Sequence, residues 1–138
     1  MRAAPSKGER KLQVLVIEDH PLQLRAVEML LEQSGYFQAT RAMNAAEAFR
    51  ACEPGKPPFD LAICDQNLPD LQGLVLLERL HRDGLVRYGI LLSSLAETEL
   101  ADLQEQGRAR RLPLLACLAK PLDLERFKAS IVPLLDGP

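Results

Sequence analysis

Five short apolar runs, each giving way to polar residues and then to a segment of helical period, constrain this chain more than any other feature of its sequence. They occupy 12–17, 36–41, 61–64, 90–92 and 114–119. Most lack polar alternation, as do strands covered on both faces. The second run is the weakest. Strands that alternate with helices imply a parallel sheet with right-handed crossovers and helices on both faces. The expected fold is therefore a single α/β domain with a doubly wound, five-stranded sheet.

The connecting segments carry their own signals. Pro21 can open a helix, and Leu22, Ala26, Val27, Leu30 and Leu31 follow at helical spacing until Ser34-Gly35. Asn44 and Glu47 have the form of a capping box, which starts a helix over 45–52 that ends before the cluster from Pro54 to Pro58. Helices are also expected over 74–82 and 97–106, the latter stopping before Gly107 and the basic Arg108, Arg110 and Arg111. Asp123 is a good N-cap for a last helix with Leu124, Phe127, Ile131 and Leu134 on one side. Pro133 should kink or shorten it. Residues 1–10 read as a loose tail, 11–135 as the domain and 136–138 as a second short tail.

Composition narrows the function classes. With 47% hydrophobic and 26% charged residues and a net charge of -2, the chain is neither disordered nor basic enough to imply direct nucleic-acid binding. No run is long enough to span a membrane and no signal-peptide core is present, so the expectation is a cytoplasmic protein without membrane association. Cys52, Cys64 and Cys117 are odd in number and scattered, which favours buried free thiols over disulfides or metal sites.

The chemistry lies at the carboxyl ends of the runs. In an open α/β sheet all parallel strands present these ends at one rim, so Glu18, Asp19, Asp65, Ser93 and Lys120 can converge. Each alone reads as a turn former, a strand-end hydroxyl or a surface lysine. Together they form three carboxylates, a hydroxyl and an ammonium. Crowded acids need a cation, and an all-oxygen set suits Mg²⁺. A carboxylate can accept a phosphoryl group covalently, while a metal and a lysine offset the phosphoryl charge. Asn67, Pro69 and Gly73 supply turn chemistry to the loop after Asp65.

Glu18-Asp19 after the first run, Asp65 with Pro69 and Gly73, Ser93 after the fourth and Lys120-Pro121 after the fifth resemble the signature of response-regulator receiver domains of two-component signalling. The resemblance extends over about residues 11 to 135. It implies a flavodoxin-like (βα)5 fold with strand order 2-1-3-4-5 and a cis Lys120-Pro121 bond. It also implies that Asp65 accepts a phosphoryl group from a histidine kinase or phosphotransfer protein. Mg²⁺ would be held by Asp19, Asp65 and the backbone carbonyl of Asn67, with Glu18 acting mostly through a metal-bound water. Ser93 and Lys120 would bind phosphoryl oxygens. The domain would be regulatory, catalysing only its own phosphorylation and dephosphorylation, and would signal to an output domain, a partner protein or a second copy in a homodimer.

Two departures stand out. Cys117 occupies the position, three before the lysine, where receivers usually carry Tyr or Phe, so a signal is expected to travel through the Ser93 loop backbone. The stretch through Arg108, Arg110 and Arg111 is longer than the common pattern. The approach to Lys120, with Ser93-Ser94-Leu95, is most similar to receivers found ahead of cyclic-di-GMP phosphodiesterase (EAL) domains. Leu95 and Asn67 fall where family side chains bear on hydrolysis, and an apolar Leu95 implies a longer-lived phosphoryl bond. The alternative reading is a receiver-like interaction module that works without phosphorylation. A hydrolase would usually need a second carboxylate where Asn67 stands.

Overall fold

A computed structural model of the chain describes residues 11–136. The tails expected at 1–10 and 136–138 lie outside these residues, apart from Asp136 at the end of the last helix. The elements are β1 (Leu12–Ile17), α1 (Pro21–Ser34), β2 (Phe37–Ala42), α2 (Ala45–Ala51), β3 (Phe59–Asp65) and α3 (Gly73–Arg82), then β4 (Val86–Ser93), α4 (Glu97–Ala109), β5 (Leu114–Ala119), α5 (Leu124–Ser130) and α6 (Val132–Asp136). All five strands are parallel, in the order β2-β1-β3-β4-β5. This is the expected flavodoxin-like topology.

Alternate residues of each central strand point to opposite faces, and both faces are buried. Leu15, Ile17, Ala62, Cys64 and Leu91 pack with Leu74, Leu77 and Leu80 of α3 and Leu103 of α4. Val14, Val16, Leu61, Ile63 and Ile90 pack on the other side with Leu24, Val27 and Leu31 of α1 and Phe127 of α5. The unbroken apolar runs are thus two alternating sets, one for each helical layer. Phe127 meets Phe37 edge to face at 5.7 Å, and truncating a buried ring of this kind costs about 3–5 kcal/mol.

Several boundaries differ from those expected. Helix α1 buries Leu24, Val27, Glu28 and Leu31, whereas Leu22 is 87% exposed and Ala26 also faces outward. The carboxylate of buried Glu28 is met by Arg41 from β2. Strand β4 begins at Val86 rather than Ile90, because Val86, Tyr88 and Gly89 also pair with Phe59, Leu61 and Ala62 of β3, and its register against β5 shifts between Gly89 and Ile90. Helix α4 runs through Gly107 to Ala109. A Cβ on Gly107 would lie 2.4 Å from Leu114 Cδ1, so this glycine admits a close-packed strand and does not end the helix. The last helix breaks at Ile131, ahead of Pro133. All three cysteines are free, but only Cys64 is buried, with Cys52 and Cys117 partly accessible.

Among the described residues no helix is long and apolar enough to cross a membrane.

Candidate functional site

Strands β1, β3, β4 and β5 end together at one rim of the sheet, where Ile17 is opposite Cys64, Asp65 opposite Leu92 and Ser93 opposite Ala119. Their terminal residues carry the site. Glu18 and Asp65 are buried, and Lys120 reaches between them. Its Nζ stands 3.0 Å from Glu18 Oε1 and 3.0 Å from Asp65 Oδ2. A third donor direction is used by Gln23 of α1, whose Oε1 accepts from Lys120 Nζ at 3.0 Å. The Lys120-Pro121 peptide is cis, as expected. The Lys120 amide donates to the Ser93 carbonyl at 3.0 Å.

The remaining hydrogen bonds fix the two acids. Glu18 Oε2 accepts from the His20 amide at 3.2 Å. Asp65 Oδ1 accepts from the Asn67 amide at 3.1 Å. Burial raises the Glu18 carboxyl above its usual range, against the opposing effect of its hydrogen bond with Lys120. Burial disfavours the Lys120 ammonium, but hydrogen bonds to Asp65 and Glu18 outweigh it, and the net shift is upward. The ammonium is therefore held as a fixed cation against both carboxylates.

Asp19 is placed differently. Its Oδ1 is buried with no hydrogen-bond partner among the described residues, and His20 Nε2 is 3.8 Å away, beyond hydrogen-bonding reach. A buried carboxylate oxygen without a partner is costly, and a cation would satisfy it. Three carboxylates against one ammonium leave an excess negative charge that a divalent ion offsets. The donor set fits Mg²⁺, a hard cation that takes carboxylates and keeps several waters. The tightest grouping is Glu18, Asp19 and His20, whose candidate ligand atoms lie within 4.8 Å of one another. His20, next to Asp19, is exposed, and no strand-end pattern in the sequence singles it out.

Ser93 is buried and its Oγ accepts from the Leu95 amide at 3.2 Å. Its hydroxyl is thus tied to its own loop and makes no hydrogen bond to Asp65. The structure brings Glu18, Asp65 and Lys120 into direct contact and sets Asp19, Asn67 and Ser93 around them.

The loop after Asp65 is fastened at three places. The Gly73 amide donates to the Gln66 carbonyl at 2.9 Å, and Gln66 Oε1 accepts from the Leu74 amide at 2.8 Å, which satisfies a free N–H at the start of α3. Asp70 accepts from the amides of Ala45 at 2.9 Å and Ala46 at 3.1 Å, joining the loop to α2. Gly73 serves by its lack of a side chain rather than by a special turn conformation. A Cβ there would stand 2.4 Å from the Asp65 carbonyl oxygen and 2.9 Å from Gln66 Cα. Neither Gln66, Asp70 nor Gln23 was legible as part of the site, since amides and acids at such spacing are ordinary surface residues.

Comparison with known proteins gives a consistent family. The family model described as response regulator receiver domain matches residues 14–132. The two-component response regulator ARR22 of Arabidopsis thaliana is 29% identical over 127 residues, covering 92% of this chain and 83% of that protein. The sensor histidine kinase RcsC of Salmonella typhi is 28% identical over 122 residues, covering 87% of this chain but 12% of that protein, so the matching stretch is a small part of a longer chain. A CheY-like response regulator receiver domain protein from Methanospirillum hungatei JF-1 superposes with a TM-score of 0.72 at 26% identity, over 92% of this chain and 95% of that one. On the family match, and with the strand order and the strand-end cluster in agreement, the chain belongs to the response regulator receiver domain family.

Proposed function

We propose that this chain is a phosphoacceptor switch in which Asp65 takes a phosphoryl group from a phosphohistidine of a sensor histidine kinase or phosphotransfer protein. The observation that carries this reading is the position of Lys120 Nζ, 3.0 Å from Asp65 Oδ2 and 3.0 Å from Glu18 Oε1. In the transfer a carboxylate oxygen of Asp65 bonds to phosphorus, the P–N bond breaks, and the histidine nitrogen keeps the bonding pair. Lys120 pairs with a phosphoryl oxygen as charge is redistributed. Ser93 then turns its hydroxyl from the Leu95 amide toward the phosphoryl group. Glu18, Asp19, Asp65 and the Asn67 carbonyl would hold Mg²⁺, and the ion would offset negative charge on the transferring group. The apolar Leu95 cannot orient an attacking water, which favours slow hydrolysis.

The domain works in the cytoplasm and is regulatory, turning over only its own phosphoryl group. Because Cys117 replaces the usual aromatic, the signal passes by movement of the Ser93–Leu95 loop to a partner surface, an output domain or a second copy. The likeness to receivers ahead of EAL phosphodiesterase domains makes such a domain the first output to seek. Cys117 is also what favours the second reading, an interaction module independent of phosphorylation. Beryllofluoride with Mg²⁺, followed by amide NMR, separates the two. The first reading expects shifts around Asp65, Ser93 and Lys120 that vanish in Asp65→Asn, and the second expects no response.

A further inference from the structure

At the rim opposite the acidic site, two stretches are rich in arginine. Between Arg79 and Tyr88 the only acid is Asp83, and between Gln106 and Pro113 there is none, while these two stretches hold Arg79, Arg82, Arg87, Arg108, Arg110 and Arg111. Arg110 is paired with Glu78 and Arg108 with Glu105. Arg79, Arg82, Arg87 and Arg111 have no ion-pair partner among the described residues. An open depression of about 600 Å³ lies here, at the start of β4 and of β5. Val86, Tyr88 and Leu112 line it along with His81, Arg87 and Arg111.

Arg111 sits in an unusual place. Helix α4 ends in a turn in which the Arg111 amide bonds to the Arg108 carbonyl and the Leu112 amide to the Gly107 carbonyl. The residue that follows such a helix end in the left-handed region is ordinarily glycine. Here it is Arg111, at φ 55°, the one non-glycine residue with positive φ among those described. A side chain at this position costs stability, and what it gains is a cation on the wall of the depression. His81 Nδ1–H donates to the Val86 carbonyl at 3.3 Å, which fixes the ring at the edge of the depression.

We propose that this depression binds an acidic segment of a partner protein that carries one apolar anchor residue. Arginines recognise carboxylates through paired N–H donors, and an apolar floor with a charged rim is the ordinary anatomy of a protein interface. A nucleic acid would call for a long basic track with many phosphate contacts, whereas this patch is local and the chain as a whole is acidic. The site is separate from Asp65 and does not depend on its phosphorylation.

The test is fluorescence anisotropy of the full chain with a labelled peptide of glutamates around a single Phe, beside a poly-glutamate peptide, a DNA duplex and phosphatidylserine vesicles. The apolar acidic peptide should bind best and weaken with salt. Arg87→Glu combined with Arg111→Glu should reduce binding by about tenfold or more, and Arg25→Gln on α1, which does not line the depression, should leave it unchanged. Arg111→Gly separates structure from function: it should raise the melting temperature while weakening binding. Equal binding by the charge-reversed protein, unchanged binding by Arg111→Gly, no binding by the wild type, or tighter binding of poly-glutamate, DNA or vesicles would each overturn the proposal. If the charge-reversed protein unfolds, Arg87→Gln with Arg111→Gly gives the same comparison.

Discussion

Lys120 Nζ lies 3.0 Å from Asp65 Oδ2, and the same nitrogen is shared with Glu18 Oε1 at 3.0 Å. The resting site is thus held together by one cation between two acids from different strands. Replacing Lys120 with Met removes that cation and leaves both carboxylates facing each other. Breaking a fully buried pair costs about 3–5 kcal/mol, and this rim is open enough to reduce the expected loss to about 1–3 kcal/mol. Mg²⁺ should recover part of it, so the melting temperature of Lys120→Met should rise more with added Mg²⁺ than that of the wild type. Equal rises in the two proteins would mean that Lys120 and the metal do not share the same carboxylates.

Gly73 predicts a second, more severe effect. The atoms that a Cβ would strike belong to the backbone of Asp65 and Gln66, which cannot rotate away as a side chain would. Gly73→Ala should destabilise the fold by about 1–3 kcal/mol, the usual range for overpacking, or more. It should also slow phosphorylation by displacing Asp65. Urea unfolding and acetyl phosphate kinetics check the two effects, and an unperturbed variant would show that the loop and α3 are more loosely joined than their hydrogen bonds imply.

The link between Asp70 and α2 gives a pH dependence. The hydrogen bond from the Ala45 amide holds the carboxyl below its usual range; burial opposes it, and the weaker hydrogen bond from Ala46 adds to it. A carboxyl whose pKa is depressed on folding adds stability above its unfolded value and loses it as pH falls through the folded one. Asp70→Ala should therefore cost about 1 kcal/mol at neutral pH, the typical value of a helix cap. The difference from wild type should shrink below about pH 4. A difference that stays constant in acid would assign the loss to packing instead.

The cysteines should react in order of access. Cys64 is buried and its thiol is raised well above the usual range by desolvation, with Asp65 and Glu18 adding to it. Burial pushes Cys117 to about 11 and also raises Cys52. Native alkylation followed by peptide mapping should find Cys64 protected. Cys117 should react slowly, at a rate that grows about tenfold per pH unit well past pH 9. A plateau below pH 9 would contradict the placement of Cys117 on a half-covered strand.

The features that sequence made legible were those whose period or end position carries the information. Glu18, Asp65, Ser93 and Lys120 terminate apolar runs, and parallel strands bring such ends to one rim. Phase within a leucine-rich helix is a weaker signal. Leu22, Leu24, Leu30 and Leu31 permit two faces, and the sheet chooses the one with Leu24. Glycines also misled, because the same residue answers different demands. Gly107 reads as a helix stop, yet it lies inside α4 where Leu114 packs against it, and the left-handed cap position is taken by Arg111. Gln23 and Asp70 join the site through contacts between residues far apart in sequence, which no local pattern encodes.

The most direct test of the account is intact-protein mass spectrometry after incubation with Mg²⁺ and acetyl phosphate, with peptide mapping of the product. The wild type should gain the mass of one phosphoryl group on the peptide containing Asp65, the gain should require Mg²⁺, and Asp65→Asn should show none. Phosphorylation of Asp65→Asn to the wild-type extent, or a wild type that remains unmodified in the presence of Mg²⁺, would contradict the assignment of Asp65 as the acceptor.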